Sequence, residues 1–405
     1  MNITYYLGAG ASAYCLPVLD EVSQRLSTLK DYVSRILDDA KLLYGNLPIN
    51  RGREPEILED NIIATGSLIS DINWIEIELD KHQTVDTLAK KFFLNENRHE
   101  DLFKLKTVLI ILFLFEQSKL SADWNFPKRK KQIPDKRYDS FIATLIGDKI
   151  GKTDMPNNVK IITWNYDLQF ELAFQEYLKE NINKIQSKLQ CVPNTMTIQN
   201  LTPIDLNQFA IVRLNGVAGM KWNRDHTDIY SSSYLDDLKN SNTPFNLLIN
   251  IYSEIKESYA PIQLPVKGDG RPFKILNLFN YNWEYQKEFD AELYPGYKSR
   301  LEYASNIMRE TDIVVVIGYS FPIFNRELDS ELMSLLKNKC RKIYVQDCKP
   351  APIVNKLLGI NPNFVSEDEF KRTGGTGIPV VPIDYTDQFH LPDEFQLRKK
   401  TLGDL

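Results

Sequence analysis

The chain has 405 residues, 43% of them hydrophobic and 25% charged. This is the balance of a globular protein that can bury a core, and it excludes disordered, collagen-like and disulfide-scaffold classes. Its 49 Lys and Arg against 54 Asp and Glu leave a net charge of -5, so nothing pulls the whole molecule toward nucleic acid or an anionic membrane.

Met1 leads straight into an apolar run, without the basic flank and long apolar stretch of a signal peptide. Ile3–Leu7 is predicted to be a strand ending in Gly8-Ala9-Gly10-Ala11-Ser12, after which Pro17 opens a helix carrying Val18, Val22, Leu26, Leu29, Val33 and Leu37 at helical spacing. From Asp38 to Ser140 no strand run appears, while residues 68–79, 84–93 and 102–119 have helical composition, with Thr84 as an N-cap. The most apolar run, residues 108–115, is flanked by Lys104, Lys106 and Glu116. It falls well short of the ~20 residues of a membrane span and reads as a buried helix. The basic run Lys128-Arg129-Lys130-Lys131, extended by Lys136 and Arg137, reads as a solvated loop.

Strand signals return at Val159–Thr163 and at residues 209–214, 273–278, 313–317, 343–345 and 380–383. The continuous apolar Ile313–Ile317 suits a parallel strand covered on both faces. Helical segments at 168–182, 300–309 and 328–337 separate several strands, and this alternation predicts an α/β fold: a Rossmann-like parallel sheet interrupted by a helical insertion. The expected division is an α/β core of residues 1–37, 141–216 and 311–405, a helical insertion over 38–140 and a second variable insertion over 217–310.

Five strand ends carry polar or glycine motifs. A glycine turn after a first strand lets backbone N–H groups and a helix start approach a pyrophosphate, although Gly8-Ala9-Gly10-Ala11-Ser12 equally suits a tight structural turn. No lysine follows in the phosphate-loop pattern, and Ala13 stands where a dinucleotide fingerprint has its third glycine. Thr163-Trp164-Asn165-Tyr166-Asp167 closes the second strand, where Asn165 and Asp167 either face a ligand or cap the next helix. Arg213-Leu214-Asn215-Gly216 closes a third strand, and Gly318-Tyr319-Ser320 follows the Ile313–Ile317 strand, where a glycine and a hydroxyl can meet a phosphate. Gln346-Asp347 ends another strand and suits hydrogen bonding to a ribose.

In this order and placement the motifs resemble the sirtuin-like family of NAD-binding proteins. G-A-G-A-S stands at the first phosphate loop, T-W-N-Y-D is a variant of Thr-Gln-Asn-Ile-Asp, L-N-G occupies the His-Gly position, G-Y-S matches Gly-Thr-Ser and V-Q-D the last ribose-contacting strand end. The resemblance covers the α/β parts and not the helical insertion. It implies that Gly8, Ala9, Gly10, Ser12, Gly318 and Ser320 hold the pyrophosphate and Asp347 the adenosine ribose. It further implies that Asn165 places the ribose and a water, and that Asp167 holds the nicotinamide carboxamide.

Two departures shape the expected activity. Cys15, Cys191, Cys340 and Cys348 contain no C-x-x-C pair, so the zinc module of deacetylating sirtuins cannot be built and no metal is expected. Zinc-free members, which Y-L-G-A-G-A-S-A-x-x-L-P and the later T-V-D-T-L-A-K-K resemble, are bacterial anti-phage effectors that cleave NAD+ as substrate. The resemblance implies a cytoplasmic NAD+ hydrolase, a homo-oligomer, and a partner ATPase of the hexameric DNA-translocase type, with neither membrane nor direct nucleic-acid binding. The alternative is a non-catalytic NAD or ADP-ribose binding subunit. Asn215 stands where the family has its acid–base His, and Asn cannot exchange a proton near neutral pH. Three explanations stay open: an inactivated form, a natural member with weak or lost catalysis, or a displaced histidine, with His226, 11 residues on, the nearest in sequence.

Overall fold

A computed structural model describes residues 1–18, 21–45, 54–82, 84–122, 133–146, 153–193, 205–224, 229–258, 276–286 and 297–396. The run at 128–131 and His226 lie outside these residues.

Among the described residues the strands are β1 (Ile3–Leu7), β2 (Val159–Thr163), β3 (Cys191–Val192), β4 (Ala210–Arg213), β5 (Gly216–Arg224), β6 (Ile229–Ser233), β7 (Leu276–Phe279), β8 (Ile313–Ile317), β9 (Lys342–Gln346), β10 (Phe364–Ser366) and β11 (Ile378–Ile383). Eight of them form one parallel sheet in the order β10-β11-β9-β8-β1-β2-β4-β3. Without the short outer strands β3 and β10, the order is that of a Rossmann-like fold, with β1 central and the direction of winding reversing between β1 and β8. In register, Ile3 faces Val159 on one side and Ile313 on the other.

Continuous apolar sequence is what the centre of such a sheet requires. Every residue of β1, β2 and β8 is buried. One face, including Val314 and Val316, packs on Met308, Leu332 and Leu357 from the helices Tyr297–Arg309, Arg326–Ser334 and Pro350–Ile360. The other, including Tyr5, Ile161 and Val315, packs on Phe141 and Ile142 of helix Lys136–Ile146 and on Phe174 of helix Gln169–Leu178. Helices therefore cover both faces.

A separate cluster joins the long helices Val22–Gly45, Glu54–Leu79, Val85–Leu94 and His99–Glu116 to a three-stranded antiparallel sheet, β6-β5-β7. The run at 108–115 is buried throughout in this cluster. Among the described residues no helix is long and apolar enough to cross a membrane.

Several expectations need correction. The first long helix starts at Val22, not at Pro17: a 3-10 turn over Ala9–Ser12 follows β1, and Val18 lies outside the helix despite fitting its periodicity. The helix expected over 168–182 stops at Leu178, because Lys179 turns left-handed (φ 52) and Asn181 caps a new helix, Ile182–Lys188. Of the strand expected at 273–278, residues 273–275 lie outside the described residues; the rest falls in β7, which pairs antiparallel with β5 within the stretch expected as a second variable insertion. Its neighbours in the fold are supplied by the variable stretch, not by the βαβ alternation.

Candidate functional site

The carboxyl ends of β1 and β8 meet where the strand order reverses, the usual place for a ligand crevice in an open α/β sheet. There the two loops cross backbone on backbone. Gly8 N–H donates to the Ile317 carbonyl (3.0 Å) and Gly10 N–H to the Gly318 carbonyl (2.9 Å). A Cβ on Gly8 or Gly10 would come within 2.6 or 2.7 Å of the 318–319 backbone, and Gly318 itself has φ +59. These glycines exist for close approach between loops. The N–H groups of Gly8 and Gly10, expected to face a pyrophosphate, are spent on the β8 loop, and neither residue lines the cleft beside them.

Buried Arg137 clamps this turn from below, donating to the carbonyls of Gly10 (3.2 Å) and Ala11 (3.0 Å) while paired with buried Asp135 (2.6 Å). Expected to belong to the solvated basic run, Arg137 is instead part of the site's foundation.

Counted together with the solvent in its open mouth, the cleft spans about 840 Å³. Ala9 and Ser12, then Asn165 and Asp167, then Asn215, Gly318 and Ser320 all line it. The helical cluster contributes Val85, Asp86, Leu109 and Phe113 to the lining. Seven of the ten residues singled out from the sequence thus share one cavity.

Asn165 Nδ2 donates to the Gly8 carbonyl (2.8 Å), and its own N–H is held by Thr163 Oγ1 (2.9 Å). Asp167 takes the Ser12 hydroxyl on Oδ2 (2.7 Å) and the Gln169 N–H on Oδ1 (3.0 Å), so it both starts the next helix and faces the cleft. Burial pushes its pKa up to about 6, against the lowering effect of those two donors. Tyr138 closes the chain with its hydroxyl 3.0 Å from Ser12 Oγ.

Asn215 is engaged at both ends of its amide. Nδ2 donates to the Trp164 carbonyl (3.1 Å) and Oδ1 accepts from Asn282 N–H (3.1 Å). It ties β4 and the β2 loop to the turn after β7.

Two expected ribose contacts are placed elsewhere. Gln346 spends its amide on Tyr385 O (2.7 Å), Gln388 O (2.8 Å) and His390 N–H (2.9 Å), holding the C-terminal segment to the sheet. Asp347 accepts from Lys349 N–H (2.9 Å) at the start of helix Pro350–Ile360 and is not in the cleft wall.

Three features were not read from the sequence. Asp86, in the first turn of helix Val85–Leu94, lines the cleft, although Thr84 already caps that helix by accepting from Thr87 N–H. Tyr138 reaches Ser12 from a helix 126 positions away in the chain. Behind the wall, fully buried Asp329 accepts from Tyr6 (2.6 Å) and Tyr319 (2.9 Å), Trp164 Nε1 donates to Tyr6 (2.9 Å), and the Trp164 and Tyr319 rings stack at 5.6 Å. Burial pushes Asp329 up to about 7. No local pattern marks such contacts; each depends on which helices dock together.

Among the described residues no group of three or more His, Cys, Asp or Glu is placed to hold a metal. A scan against protein-family models gives no match to the chain, and no curated protein matches its sequence. What the chain presents is a Rossmann-like α/β fold whose strand-order reversal opens into one cleft between the sheet and the helical cluster.

Proposed function

We propose that the chain is a sirtuin-like hydrolase that cleaves NAD+ between nicotinamide and ribose, serving as an NAD-depleting effector in bacterial anti-phage defence. The observation that carries this reading is convergence: Ser12, Asn165, Asp167, Asn215 and Gly318, from four separate strand ends, line a single cleft at the reversal point. Among the described residues that line it are two carboxylates, Asp86 and Asp167, and no Lys or Arg. That suits the cationic nicotinamide end of the substrate, whose phosphates then depend on N–H and hydroxyl donors.

Because the leaving group is cationic, breaking the C1′–N bond releases neutral nicotinamide without an acid, and the transition state is oxocarbenium-like. Positioning and electrostatics dominate such a step. Asn165, fixed by Gly8, is suited to orient the ribose, and Asp167, fixed by Ser12, to hold the carboxamide. In this reading the chain works as a homo-oligomer beside a DNA-translocase-type ATPase.

A second reading is favoured by Asn215. Its amide is consumed by Trp164 and Asn282 and moves no proton, as expected of a subunit that binds NAD or ADP-ribose without turnover. Calorimetry with ADP-ribose and assay of free nicotinamide from NAD+, for the chain as it stands and for Asn215→His, separate the two. Release from either form supports the hydrolase. Tight ADP-ribose binding with no release from either supports the binding subunit, and neither heat nor release sinks both.

A further inference from the structure

We infer, on the reading that the cleft takes NAD+, that Asp86 is the base that removes the proton from the attacking water. The position usually held by histidine is Asn215, which cannot do this, so the reaction needs another acceptor in the same cavity.

Among the described residues, four titratable side chains line the cleft: Asp86, Asp167, Tyr166 and Tyr319. Burial raises both phenols, with Tyr319 also donating to Asp329, and they stay protonated. Asp167 has each oxygen engaged, by Ser12 and by Gln169 N–H, which suits a fixed contact rather than a proton acceptor. Asp86 differs from all three. Among the described residues nothing hydrogen bonds to its carboxylate, and burial alone pushes it up to about 6. Its charge reaches Tyr166, the residue between Asn165 and Asp167.

A structural role for Asp86 as a helix-start acid is weakened by Thr84. That hydroxyl already serves the first turn of helix Val85–Leu94, and Asp86 makes no bond back to its own helix. An unbonded carboxylate lining the same cleft as Asn165 and Asn215 has lone pairs available for a water. A carboxylate of raised pKa is also a stronger base than an exposed one, and still ionised in large part at pH 7.

The chemistry balances without a further reactant. The C1′–N bond breaks with its electron pair going to nicotinamide, a water oxygen bonds to C1′, and the proton leaving that water goes to the Asp86 carboxylate and then to solvent. The inference also gives the helical cluster a catalytic part: it delivers the base as well as covering the cleft.

The experiment compares wild type, Asp86→Asn and His226→Ala in nicotinamide release from NAD+, ADP-ribose calorimetry, and turnover with added azide. Azide is a nucleophile with no proton to lose. Asp86→Asn is expected to lower hydrolysis by about 100-fold or more, to leave ADP-ribose binding intact, and to recover turnover with azide, giving ADP-ribosyl azide. Full hydrolysis by Asp86→Asn overturns the inference, as does loss of ADP-ribose binding together with failure of azide rescue. Azide-rescuable loss in His226→Ala with Asp86→Asn active assigns the base to His226 instead. ADP-ribose binding without nicotinamide release by wild type overturns the base role and leaves nucleotide binding standing. Neither binding nor release overturns the NAD+ reading itself.

Discussion

Gly318→Ala should be among the most damaging single-methyl additions in the molecule. An alanine there must hold φ +59, a left-handed conformation costing about 1–2 kcal/mol for an L-residue. Its Cβ would lie 2.4 Å from the Gly10 Cα and carbonyl carbon, and because both neighbours are backbone, no side chain can swing aside. The loops must part, straining a packed interior by about 1–3 kcal/mol and stretching the 2.9 Å bond from Gly10 N–H to the Gly318 carbonyl, worth about 1 kcal/mol net. Together these predict a loss of about 3–6 kcal/mol. Gly66→Ala supplies the control: within helix Glu54–Leu79 its Cβ would have nothing within 4 Å, so it should stabilise by about 0.5–1 kcal/mol. Urea unfolding followed by circular dichroism measures both. If Gly318→Ala unfolds within about 1 kcal/mol of wild type, the close crossing of the β1 and β8 loops is refuted.

Three further substitutions probe the supports of the cleft. Arg137→Met strands Asp135 as an unpaired buried charge and should cost about 3–5 kcal/mol, with Asp135→Leu added to Arg137→Met recovering much of it in thermal melts. Ser12→Ala removes a donor that holds Asp167 down, so the Asp167 pKa should rise above about 6, a shift readable by carbon NMR of the labelled carboxyl. Asp329 is raised to about 7 in the folded protein, which means the native state binds its proton more tightly than the unfolded chain. Its contribution is therefore full below the ordinary carboxylate pKa of about 4 and is lost as pH rises through 7, and Asp329→Asn should flatten the fall in stability across that window in a pH series of unfolding curves.

The parallel sheet was legible because its central strands are continuous apolar runs: Ile313–Ile317 must be covered on both faces, and it is. Short strands escaped. Cys191–Val192 and Phe364–Ser366 are two and three residues long and carry no period. The β5–β6 pair, which includes Gly219 at φ +92 and shifts register against β7, lacks clean alternation. The site was legible where its residues sit at strand ends, since topology alone brings Ser12, Asn165, Asn215 and Gly318 to one edge of the sheet. It was not legible where helices bring residues in from outside that topology, as with Asp86, Tyr138 and Asp329, or where a polar side chain at the right strand end is used for packing, as with Gln346.

The account's central claim is that the cleft at the β1/β8 reversal takes NAD+ and breaks its nicotinamide–ribose bond. Quantifying free nicotinamide after incubation of the purified chain with NAD+, alongside Asn165→Ala and Asp167→Asn, tests it most directly. The account predicts release by the chain, falling by about 100-fold or more when either side chain is removed. Release that is indifferent to both substitutions, or no release accompanied by no calorimetric heat with ADP-ribose, would contradict it.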